Sequence, residues 1–66
     1  MKMSLDEFVI KSAEKYIELR EKYPNDMVRR VAFTEQVLGY IKNHCPNETK
    51  QIEYMSEYYR LRGERS

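Results

Sequence analysis

The sequence predicts an all-α fold, a small three-helix bundle running up-down-up, and three observations carry that expectation. Apolar residues recur at three- and four-residue spacings along nearly the whole chain, the rhythm of one helical face. Two similar breaks, Tyr23-Pro24-Asn25-Asp26 and Cys45-Pro46-Asn47-Glu48, cut the chain into three segments. A length of 66 residues admits one core, because two would each fall below the size at which chains fold unaided. The alternative architecture is a helical hairpin whose third helix splays away and is completed by homodimerisation. In either case residues 1–66 form a single helical domain, with helices over about 4–22, 26–44 and 48–62 and a polar tail at 63–66.

The first helix begins at Ser4, which with Glu7 three residues on forms a capping box. Leu5, Phe8, Val9, Ser12, Tyr16, Leu19 and Tyr23 lie along one face, and Ile10, Ala13 and Ile17 widen it. Pro24 then biases Tyr23 away from helical geometry, and Asn25 supplies a cap for the second helix.

In the second helix, Met27, Val31, Thr34, Leu38, Ile41 and Cys45 are spaced 4, 3, 4, 3 and 4, a heptad-like seam suited to a near-parallel neighbour. Phe33, Val37 and Tyr40 form a second stripe, so the apolar arc covers more than one partner requires. The second helix is therefore expected at the centre, touching both others. Gly39 lies off the seam and costs about 1 kcal/mol relative to alanine.

The third helix starts after the Pro46-Asn47 break. Ile52, Met55 and Tyr59 make its expected core line, broadened by Tyr54, Tyr58 and Leu61, and Gly63 stops it.

The chemistry available to this chain is narrow. Twelve Lys and Arg nearly balance eleven Asp and Glu, leaving +1, which argues against a dedicated polyanion binder. No apolar run approaches the roughly 20 residues that cross a bilayer, and the acidic start Leu5-Asp6-Glu7 does not suit a signal peptide. A single cysteine in so small a chain fits a reduced, cytoplasmic compartment rather than a disulfide scaffold.

The sequence argues against an enzyme and against any cofactor. His44 and Cys45 are adjacent at a helix C-terminus, whose dipole disfavours a thiolate, so Cys45 is expected to seal the core and His44 to meet terminal carbonyls. With Glu48 they match no recognised zinc spacing. The only glycines, Gly39 and Gly63, form no phosphate loop.

What remains is binding. Six Tyr, four Met and six Arg are residue types that interface cores favour. The third helix ends Tyr58-Tyr59-Arg60-Leu61-Arg62, alternating aromatic and guanidinium groups. Arg29 and Arg30 open the second helix, where its own dipole disfavours cations, so the pair asks for another explanation. The expected function is a non-enzymatic interaction module, an inhibitor or adaptor that covers a surface of a larger protein and itself forms a homodimer or small oligomer. Its expected partner-binding residues are Arg29, Arg30, Tyr54, Tyr58, Arg60 and Arg62. The alternative is a nucleotide or single-stranded nucleic-acid binder that stacks bases on the same tyrosines. A membrane partner is not expected.

Overall fold

A computed structural model describes residues 3–63, and it consists of α1 (Leu5–Lys22), α2 (Met27–His44) and α3 (Glu48–Leu61), all three in mutual contact. Among the described residues no helix is long and apolar enough to cross a membrane.

Each helix starts on a side-chain cap. Ser4 Oγ accepts from the Glu7 N–H at 3.1 Å, and Asn47 Oδ1 accepts from the Lys50 N–H at 2.9 Å. For α2 the cap is Asp26 rather than Asn25, its Oδ1 accepting from the Arg29 N–H at 3.0 Å. A carboxylate at that position also meets the positive end of the helix dipole, which an amide does not. The last helix ends as expected: Gly63 takes φ 87°, a left-handed conformation natural to glycine, and its N–H donates to the Arg60 carbonyl. The remainder of the expected polar tail lies outside the described residues.

The core is unevenly shared. Val9, Ser12, Ala13 and Tyr16 of α1 are buried, against Val37 and Ile41 of α2 and Tyr58 of α3. The central helix is therefore α1, not α2 as the width of its apolar arc predicts. The buried face of α1 carries the small side chains of Ser12 and Ala13 between Val9 and Tyr16. Packing between α2 and α3 is the thinnest of the three pairs.

Two further departures result from that arrangement. The α2 seam is buried only at its C-terminal end, at Ile41 and Cys45, while Met27 is 67% exposed and Val31 is also open to solvent. In α3 the buried line is rotated. Ile52 is 64% exposed, whereas Tyr58 is fully buried, flanked by half-buried Tyr54, Met55 and Leu61. The molecule is a slab of 35 × 31 × 17 Å.

Candidate interaction surface

The up-down-up order brings the C-terminus of α1, the N-terminus of α2 and the C-terminus of α3 to the same end of the slab. Arg20, Arg29, Arg30, Arg60 and Arg62 gather there, and each has a distinct role.

Arg62 belongs to the core. It is only 7% exposed, and its guanidinium lies 3.8 Å from the Tyr16 ring centroid and 4.6 Å from that of Tyr59. Nη1 donates to Thr34 Oγ1 at 2.8 Å and to Tyr58 Oη at 3.2 Å. Those bonds tie α3 to α2 and satisfy the hydroxyl of the fully buried Tyr58, whose ring meets Tyr16 edge-on at 6.4 Å. Arg20 in turn donates to the Arg62 carbonyl at 3.4 Å.

Arg30 resolves the puzzle of cations at the head of a helix. Its Nη1 donates to the carbonyls of Tyr23 at 3.0 Å and Pro24 at 3.1 Å. Tyr23 is the C-cap of α1, so Arg30 sits at the negative end of the preceding helix, bonding the Tyr23 carbonyl that the Asp26 N–H also reaches and the Pro24 carbonyl just beyond it. Arg29 is held by Asp26, Nε to Oδ2 at 3.1 Å, and covers the Tyr23 ring at 4.2 Å. The Arg29 backbone N–H and then its guanidinium hold the Asp26 carboxyl below the ordinary carboxylate range.

Arg60 is exposed and doubly bonded to Glu57 on its own helix, which raises its pKa. Tyr54 lines a separate depression between α1 and α3, beside Ile10 and Lys50. Of the six residues that the sequence singles out, the structure thus joins Arg30 and Arg62 around one feature, places Arg29 nearby and buries Tyr58 in the core. Tyr54 and Arg60 stand apart from the feature.

That feature is a groove of about 490 Å³ between α2 and α3. Met27, Val31 and Leu38 line it from α2, Tyr59 from α3, and Arg30, Glu35 and Arg62 also border it. Beyond the groove the apolar surface continues round α2 through Val28, which is 80% exposed, and Ala32. The sequence pattern assigns Met27 and Val31 to the core seam and leaves Val28 unassigned. Yet Val28 falls outside both apolar stripes of α2, and an apolar residue on the wet face of an amphipathic helix is the signal that would have found this patch.

At the opposite end His44 and Cys45 behave as structural residues. The His44 Nδ1 lies 3.0 Å from the Tyr40 carbonyl, and its ring continues a stack in which Phe8, Tyr40 and His44 succeed one another at 4.0 Å. Cys45 is buried, with its thiol directed to the Asn47 carbonyl. Among the described residues no group of three His, Cys, Asp or Glu side chains converges to hold a metal ion. Comparison of the chain with family models, curated proteins and solved structures gave no match.

Proposed function

We propose that this chain is a non-enzymatic interaction module that acts as an inhibitor or adaptor, laying the apolar face of α2 against a surface of a larger protein. The observation that supports the reading is the continuous exposed run of Met27, Val28, Val31 and Ala32. A chain of this size has little apolar surface to spare, and contiguous exposed apolar patches mark association sites more often than idle surface. Burying a valine fully contributes roughly 1.5–3 kcal/mol, so a few such side chains supply a useful share of a micromolar affinity. The unpaired, buried Cys45 suits a reduced cytoplasmic setting.

The test is Val28→Asp. Val28 touches no part of the core, so the variant keeps the wild-type melt by circular dichroism while losing the proteins that the wild type retains on an affinity column. A variant that retains the same proteins in the same amounts refutes the assignment of the α2 face. The nucleic-acid reading has less support. Tyr58 has no open face for a base, and the Arg62 plane is already occupied by the rings of Tyr16 and Tyr59.

A further inference from the structure

The α2 side of the groove carries its own complement. Met27, Val31, Thr34 and Leu38 continue the 4, 3, 4 spacing of a coiled-coil seam, at positions d, a, d and a of a heptad. In that frame Arg30 is a g position and Glu35 the e position of the following heptad. They stand five residues apart on opposite flanks of the seam, the relation that pairs charges between two parallel strands. Within the chain the two cannot meet, because five residues turn the helix by about 140°. The Glu35 carboxylate has no hydrogen bond or ion pair among the described residues, and Arg30 commits only Nη1 to the end of α1.

An antiparallel pairing would place equal flanks together, setting Arg30 away from the second copy's acid. A parallel pairing sets each arginine against it. The seam is open at Met27 and Val31, half-buried at Thr34 and Leu38, where Thr34 Oγ1 accepts from Arg62, and closes over Ile41 in the chain's own core.

We propose that the α2–α3 groove is a self-association surface. Two chains pair the N-terminal halves of α2 in parallel about a two-fold axis, with Met27, Val31, Thr34 and Leu38 along the seam and each Arg30 against the partner's Glu35. The proposal rests on the reading of α2 as the interacting helix and names a second copy as the occupant of the groove, leaving Val28 and Ala32 on the adjoining face to the larger protein. Beyond Leu38 the paired helices diverge, because the rest of the seam is already filled by Ile41 and Cys45.

Charge reversal and subsequent mixing test the pairing. Glu35→Arg and Arg30→Glu are each examined alone and then together in equal amounts by sedimentation equilibrium, with circular dichroism to confirm folding. The wild type is expected to dimerise reversibly. Each variant alone faces like charges at both pairs, and its dissociation constant rises about tenfold or more. The mixture restores a one-to-one dimer, because in the mixed dimer both pairs are complementary again. Should Arg30→Glu fail to fold, Met27→Glu serves in its place, since it sets two carboxylates face to face on the axis and also yields a monomer.

A monomeric wild type, single variants that dimerise as the wild type does, or a mixture that stays monomeric overturns the proposal. A monomeric wild type whose Val28→Asp variant still loses its retained proteins overturns self-association alone and leaves the interaction reading standing.

Discussion

Replacing Arg62 by alanine tests whether a guanidinium is part of the core of this protein. The residue is nine-tenths buried, donates from Nη1 to Thr34 and Tyr58, and packs its plane against Tyr16. Hydrogen bonds from a charged donor contribute about 1.5–3 kcal/mol each, and a desolvated cation on an aromatic face adds about 1–2 kcal/mol. Each N–H of Nη1 serves one acceptor, and the long bond to Tyr58 at 3.2 Å places the sum toward the lower end, near ~4 kcal/mol. A chain of this length holds only about 3–10 kcal/mol in total. The Arg62→Ala variant should therefore melt about 20 °C below the wild type, or be largely unfolded at room temperature. Arg62→Lys keeps the charge but not the flat, multidentate group, and should fall between the two. Arg60→Ala is the control, because its ion pair with Glu57 lies in solvent. Thermal melts monitored by helical circular dichroism decide the matter. An Arg62→Ala melt within about 3 °C of the wild type would refute the idea that this cation is a structural plug. Arg62 is thus unlike the surface cation that the sequence suggests, and reversing its charge should unfold the domain rather than merely weaken binding.

Other outcomes derive from the helices themselves. Gly39→Ala should raise stability by about 1 kcal/mol, since a Cβ there meets nothing within 4 Å; an unchanged or lower denaturant midpoint would contradict that reading of the site. Asp26 is held below its ordinary pKa by Arg29, so the folded state binds this proton less readily than the unfolded chain does. Its contribution is present above the unfolded value near 3.8 and is lost as pH falls through the lower folded value. Glu18, lowered by its bond to Lys15, adds to stability with the same sign. Asp26→Asn keeps a capping oxygen but removes that titration, so melting temperature should depend less on pH in the acid range; an identical pH profile would dismiss the carboxylate as the cause.

Local signals made the helices legible in the sequence: Ser4 and Asn47 as caps, the two prolines as breaks, Gly63 as a stop. The buried face of α1 was legible too, at Val9, Ser12 and Tyr16, although of the residues that widen it Ala13 is buried and Ile10 is exposed. In α3 both Ile52 and Tyr58 lie at helical spacing, and hydropathy favours the isoleucine. The tyrosine is buried instead because Thr34 of α2, together with Arg62 at the C-cap of α3, satisfies its hydroxyl. No wheel of α3 alone shows Thr34. For α2 the seam itself was readable, but not that α1 would hold most of the core and leave Met27 and Val31 outside. Arg30 marks the same boundary: its conflict with the dipole of its own helix was visible, while the carbonyls that resolve it belong to the end of another.

The uneven seating of α2 gives a single helix two different resistances to opening. Near Val37 and Ile41 its amides open only with the core, so their exchange with solvent deuterium tracks global unfolding. Between Met27 and Ala32 few buried contacts resist a local opening, and exchange there proceeds through fraying of a turn or two at much smaller cost. The pliant half of the helix is the half that carries the exposed side chains. A partner docking on this face would therefore order it, and would leave its footprint as slowed exchange confined to the first turns of α2.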